Sequence, residues 1–249
     1  GWDLITFIVN NVFKEIIGER YQCDILSVSS MRHIFILGIE REEQEEELVE
    51  LLREGVGFLN QRVGAEAVFG TGNICNGLYG LRSMYREAQK ALEYRFLLKG
   101  ESVICYRDIR GRYIGNLSGE ETQLFHMVNG FLKSAAPKEN TPKAFVRHLV
   151  NVYGINVSAS IDDVENFRRE IVNALNRIWM NTDLEYFQRD SYMTQLAEAD
   201  HLDDYLETLA NILCETRKDS QDNESRIYLV QQIEQYVEEN FASSDLNVN

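Results

Sequence analysis

The chain has 249 residues, 44% of them hydrophobic, and a formal net charge of -15. That length buries one large core or two modest ones, and the sequence is read here as two. A surface this acidic repels nucleic-acid phosphates, so residues 1–249 alone are expected to bind DNA or RNA poorly, although the same charge also serves plain solubility.

The first predicted helix runs from Leu4 to about Ile17, with Asp3 as its cap and Gly18 as its stop. Leu4, Ile5, Ile8, Val12 and Ile16 give it a wide apolar face suited to covering a sheet. A β-hairpin follows, from Cys23 to Glu40. Its first arm is amphipathic, with Ile25, Leu26 and Val28. Its second arm, Ile34 to Ile39, is an almost unbroken apolar run that reads as a strand buried on both faces. A polar turn, Ser29 to His33, joins them. Glu42 to about Leu59 is the next helix; its acidic start complements the positive end of the helix dipole, and Gly55 and Gly57 are expected to loosen its last turns.

Ala67, Val68 and Phe69 form a short predicted strand that ends in Gly70-Thr71-Gly72. These glycines are a weak phosphate-loop signal, since neither G-x-x-x-x-G-K-[ST] nor G-x-G-x-x-G is met, and a tight strand-exit turn accounts for them. Leu81 to Leu98 keeps the helical period, Gly100 stops it, and Ser102 to Tyr106 is a last strand. The order helix, strand, strand, helix, strand, helix, strand fits a ferredoxin-like α/β sandwich that lacks a first strand before Asp3.

From Asp108 onward only helical patterns appear, so the fold class is α+β, with an all-α connector behind the sandwich. Ser118 to Glu121 reads as a capping box, and Pro137 to Pro142 as a break in which Thr141 and Pro142 open the next helix. Ser160 and Asp163 cap another, and Asn181 to Ala199 is less regular. Leu202 to Leu213 is amphipathic, Thr216 to Asn223 is expected to be a linker, and a last helix runs from about Glu224 to Phe241.

The four cysteines, Cys23, Cys75, Cys105 and Cys214, form no C-x-x-C pair and read as reduced, buried core residues. His33, His126, His148 and His201 are scattered, so no metal site and no cofactor is expected. No run approaches the length of a membrane span and no signal peptide is read ahead of Gly1, which gives a cytoplasmic expectation.

The hairpin, Val68 to Gly72, the helix Ser83 to Arg95 and the stretch Val103 to Ile109 together resemble a degenerate GGDEF domain, of the kind found in the middle of AraC-type transcription regulators. These include YesN-like response regulators of Gram-positive bacteria and their membrane-anchored relatives. Met84 to Leu92, with the pattern M-Y-x-E-A-x-x-A-L, carries most of the likeness. Ile227 to Asn249 is similar to the opening of an AraC-type DNA-binding domain, with Tyr236, Val237, Glu238, Glu239 and Asn240 as its Y-[IV]-E-E-N core. The resemblance implies three regions: 1–112 GGDEF-like, 113–222 a helical connector or dimerisation region, and 223–249 the start of the DNA-binding domain.

It places Ser30, Met31, Arg32, His33 and Ile34 at the Gly-Gly-Asp-Glu-Phe positions. The glycines that admit a nucleotide are then Ser30 and Met31, and the metal-binding acidic pair is Arg32 and His33. The R-x-x-D product-binding motif is also absent, with Gln22 and Ile25 in its place. The implied function is non-catalytic, with no catalytic residue: a signal-transmitting region between an upstream receiver or a membrane-tethered sensor and a downstream helix-turn-helix domain that alone meets DNA. A homodimer is the implied assembly. The alternative is a nucleotide or cyclic-dinucleotide sensor without turnover, with Arg32, His33 and Thr71 as candidate ligand contacts.

Overall fold

The computed structural model describes residues 2–29, 31–111, 121–134, 141–180, 182 and 184–240. It is mixed α/β, mostly helical, and divides into two units, Gly1–Arg112 and Tyr113–Asn249.

In the first unit, α1 (Trp2–Gly18) begins at Trp2, so Asp3 lies in its first turn rather than before it. It buries Phe13 and Ile17 completely. The main-chain N–H groups of Arg20 and Tyr21 both return to the Ile17 carbonyl, at 3.0 and 2.9 Å, and this closes the helix. The hairpin strands β1 (Gln22–Ser29) and β2 (Arg32–Gly38) pair antiparallel, with Cys23 opposite Leu37, Ile25 opposite Phe35 and Ser27 opposite His33. The register shifts between Ser27 and Ser29. Strand alternation then sorts the side chains. Cys23, Ile25, Phe35 and Leu37 pack on the core, while Leu26 and Val28 stay 52% and 57% exposed. The expectation that β2 is buried on both faces fails, because Ile34 to Leu37 are only half-buried.

Helix α2 (Gln44–Val63) has its entry held by the Gln44 side chain, which accepts the N–H groups of Glu40 and Arg41 at 2.9 and 3.0 Å. It runs beyond Leu59 to a left-handed Gly64, so Gly55 and Gly57 do not loosen it. Gly55 serves packing instead. A Cβ there would stand 2.3 Å from Cε1 of Phe13, so the missing methyl lets the ring lie on the helix.

Strands β3 (Phe69–Thr71) and β4 (Val103–Cys105) pair in parallel, Phe69 with Val103 and Thr71 with Cys105. A parallel pair needs a crossover, which α3 (Leu81–Glu93) supplies. The backbones of β3 and α3 touch. A Cβ on Gly70 would fall 2.2 Å from the Ala88 carbonyl oxygen, and one on Gly72 2.3 Å from that of Met84. These glycines are therefore close-approach positions; the expected turn at Gly70–Gly72 is corrected, since Gly70 and Thr71 lie within β3 and no turn follows at Gly72. A short helix, α4 (Tyr106–Ile109), follows β4, and Arg107 pairs with Glu45 of α2 at 2.8 Å.

One core joins these elements. Phe13, Phe35 and Phe69 meet edge to face, with centroids 5.3, 5.0 and 5.1 Å apart. Among the described residues the strands nevertheless form two separate two-stranded sheets.

The second unit is helical: α5 (Glu121–Lys133), α6 (Pro142–Val152), α7 (Ile161–Trp179), α8 (Tyr186–Glu198) and α9 (Leu202–Asn240). The Ser118 to Glu120 part of the expected capping box and Pro137 lie outside the described residues. Thr141 caps α6 by accepting the Ala144 N–H at 3.2 Å, with Pro142 in the first turn. Ser160 caps α7 by accepting the Asp163 N–H at 3.1 Å, and its hydroxyl donates to the Asp163 carboxylate at 2.8 Å, both groups buried. Phe131 and Phe145 stack at 4.2 Å, and Leu124, Leu149, Val164, Ile171, Leu175, Leu209 and Leu213 fill the interior. Residues 186–198, expected to be irregular, form α8.

The expected linker Thr216 to Asn223 is continuous helix within α9. Polarity alone does not stop a helix, and residues 202–240 contain neither proline nor glycine. Thr216 and Arg217 are also buried. Trp179 Nε1 donates to Thr216 Oγ1 at 3.3 Å, and Arg217 donates to the Ser134 carbonyl and lies over the Phe131 ring at 4.8 Å. All four cysteines are free, but only Cys105 is buried; Cys23, Cys75 and Cys214 are half-buried, a correction to their reading as core residues.

The two glycines of α2 give opposed predictions. Gly55→Ala drives its methyl into Phe13 and should lower unfolding stability by about 1–3 kcal/mol. Gly57→Ala meets nothing within 4 Å and should raise it by about 0.5–1 kcal/mol through helix propensity. Urea titration of both variants checks the sign of each.

Candidate functional site

The hairpin tip is set by its register. Arg32 and His33 are the first two residues of β2, not part of a loop, and this corrects the expected turn Ser29 to His33. Ser30 lies outside the described residues. Met31 is 77% exposed, and its N–H is 3.4 Å from Ser29 Oγ. Arg32 is exposed, whereas His33 and Ile34 are half-buried. His33 stands opposite Ser27, and Ser27 Oγ and His33 Nδ1 share a hydrogen bond of 3.1 Å. The ring is thereby tied across the hairpin, on the face that also carries Ile25 and Phe35.

Among the described residues carboxylates do not converge on this tip. Asp24 pairs with Ile36, which puts it on the opposite face from Ser27 and His33, and it is exposed. Among the described residues no group of three or more His, Cys, Asp or Glu side chains is arranged to hold a metal ion. Thr71, the third candidate contact, ends β3 in the other strand pair. Its hydroxyl oxygen is shielded from solvent and has no hydrogen-bond partner among the described residues. No hydrogen bond or ion pair among them joins it to Arg32 or His33. The three candidates are thus two neighbours on β2 and one residue on another strand.

Three arrangements carry no local sequence signal, because their members are distant in the chain. Glu47 on α2 accepts from the Tyr21 hydroxyl at 2.8 Å and from Arg20 at 2.6 Å, which ties the entry of the hairpin to α2. The hydrogen bond from Tyr21, then that from Arg20, holds the Glu47 carboxyl below its ordinary range. Loss of solvent, then the bond to Glu47, pushes the Tyr21 hydroxyl up. Beyond β3, the Asn73 N–H donates to Glu87 at 2.8 Å, and Cys75 Sγ donates to Met84 Sδ at 2.9 Å, fastening the connecting loop to α3. Burial, then the neighbouring Asp24, raises the Cys23 thiol.

Comparison with known families locates a GGDEF-like domain at residues 12–94, from the middle of α1 to the end of α3. No curated protein and no solved structure matches the chain. The matched segment contains the hairpin tip, so the Arg32 and His33 geometry belongs to a GGDEF-like domain.

The Glu47 cluster gives a signed pH dependence. A carboxyl depressed in the folded state contributes stability above its unfolded value, near 4.5, and loses it as pH falls through the folded value. Glu47→Gln should therefore be less stable than the parent at pH 7, and the gap should narrow steadily below pH about 4.5. Chemical denaturation of both proteins from pH 7 down to the lowest pH at which both still fold would show a constant gap if the cluster contributed nothing.

Proposed function

We propose that this chain is a non-catalytic, signal-transmitting region of an AraC-type bacterial transcription regulator. Its first unit is a degenerate GGDEF-like domain, a ferredoxin-like α/β sandwich, over residues 1–112. Residues 113–222 form the helical connector, and 223–249 begin the DNA-binding domain. The observation that carries the reading is α9. It is rooted in the second unit by Tyr205, Leu209, Leu213, Thr216 and Arg217, and it continues unbroken to Asn240, into the stretch from Ile227 that resembles the opening of an AraC-type DNA-binding domain. At 1.5 Å per residue the part of the helix beyond Arg217, as far as Asn240, spans about 35 Å. A lever of this length conveys a rotation or shift at its root to whatever lies beyond it.

The hairpin supports the non-catalytic half of the reading. Cyclisation of a nucleoside triphosphate needs carboxylates that hold Mg²⁺ on the phosphates. The positions at the tip carry a cation, Arg32, and an imidazole, His33, that is already bonded to Ser27. An upstream receiver or sensor would act by shifting the population of two arrangements of the domain, with no chemical step. A homodimer would set two DNA readers at half-site spacing.

The test is a fusion of residues 1–249 to a heterologous DNA-binding head that represses a reporter only as a dimer. Repression well above that of the head alone is expected; repression no better than the head alone overturns the regulatory reading. Purified protein with GTP and Mg²⁺ or Mn²⁺ should yield no cyclic dinucleotide. A thermal-shift titration with GTP and with cyclic dinucleotides separates the two non-catalytic readings, since a saturable rise in midpoint would mark a ligand sensor.

A further inference from the structure

Asparagine stands directly before glycine twice in the chain, at Asn76–Gly77 and at Asn129–Gly130. Asparagine is among the chemically labile residues, and a following glycine has no Cβ to keep its main-chain nitrogen away from the side-chain amide. The fold gives the two pairs opposite surroundings. Asn129 is half-buried within α5, where the Gly130 N–H is held by the helical ladder, and the buried Phe131 and Leu132 pin the turn that follows. Asn76 and Gly77, in the loop between β3 and α3, are exposed and belong to neither helix nor strand. Among the described residues no hydrogen bond engages the Gly77 N–H or the Asn76 side-chain amide.

The loop nonetheless has a fixed shape. Gly77 sits at φ 71° and ψ -175°, a region open in practice to glycine alone. Cys75 Sγ lies 2.9 Å from Met84 Sδ, and a Cβ on Gly80 would fall 2.5 Å from the Cβ of Cys75. The fold therefore demands a glycine after Asn76 and presents the pair to water. We propose that Asn76 is a site of spontaneous isoaspartate formation. The Gly77 nitrogen attacks Cγ of Asn76. The N–Cγ bond forms, the Cγ–Nδ2 bond breaks, and the Gly77 proton leaves with the side-chain nitrogen as ammonia. Water then opens the resulting succinimide. Opening at Cγ gives aspartate; opening at the main-chain carbonyl of Asn76 gives isoaspartate, whose chain runs on through Cβ and Cγ. That product adds a negative charge, and it adds one atom to the main chain of a turn pinned by Cys75 and Gly80. Its free α-carboxylate is an acceptor for carboxyl methyltransferases that use S-adenosylmethionine, so the aged chain becomes a substrate for that class of enzyme. The inference rests on the loop before α3 and stands apart from the regulatory reading.

The test incubates the full chain at neutral pH, once folded and once in concentrated guanidinium chloride. Peptides carrying residues 76 and 129 are followed by mass spectrometry and by methyl transfer from labelled S-adenosylmethionine with an isoaspartyl-directed methyltransferase. In the folded chain Asn76 should convert about tenfold or more faster than Asn129, because the Gly130 nitrogen is free to react only when α5 opens. In guanidinium chloride the two rates should converge. Asn76→Gln, which must close a larger and slower-forming ring, should remove the label from its peptide. Rates within about tenfold of each other in the folded chain overturn the proposal. So does label that persists in that peptide after Asn76→Gln. A gap that survives in guanidinium chloride would place its cause in the neighbouring residues rather than in the fold, and overturns it equally.

Discussion

The contact among Phe13, Phe35 and Phe69 is the constraint on which the first unit depends. Three rings from a helix and two strand pairs fit together because edge-to-face packing is favourable at centroid distances near 5 Å. They have room because α2 offers a glycine, Gly55, where any larger residue would meet the Phe13 ring. Once Phe35 faces inward, strand parity decides the rest of the hairpin. Leu37 and His33 share its face, while Arg32, Ile34 and Ile36 take the other. The chemistry of the tip is thus subordinate to a core contact two residues away. A histidine on that face, bonded to Ser27, is a piece of sheet structure before it is anything else.

The second unit is organised differently. Two of its helices, α6 and α7, begin at hydroxyl caps, Thr141 and Ser160, and its interior is aliphatic with a few aromatic anchors. Two polar contacts cross that interior. Trp179 reaches Thr216, and Arg217 reaches the Ser134 carbonyl across the face of Phe131. A buried cation and a buried hydroxyl on α9 are costly unless bonded, so these contacts fix where the helix is rooted.

Much of this was legible in residue order. The helical period from Leu81, the hairpin, and the caps at Thr141 and Ser160 are local signals, and the structure has elements at each. What the sequence concealed depends on contacts between distant segments. Gly55, Gly70 and Gly72 look like glycines that loosen or turn a chain, and only the neighbouring helix or ring shows that they are there for close approach. Thr216 to Asn223 looks like a linker because it is polar, and the contacts that hold its first two residues, Trp179 on Thr216 and Ser134 on Arg217, lie in no local window. At the tip, the identities of Arg32 and His33 were plain, but the bond between Ser27 and His33 follows from the register around the shift at Ser29.

The unbroken course of α9 also makes its length a matter of angle. Each residue turns an α-helix by about 100°, so one residue inserted beyond Arg217 swings everything that follows by more than a quarter turn. Seven residues return the downstream part nearly to its starting direction, only farther away. Descendants of this chain are therefore free to lengthen the segment in whole heptads, while single insertions or deletions re-aim its far end. Sequence drift in that stretch should be lenient toward side-chain identity and strict about spacing.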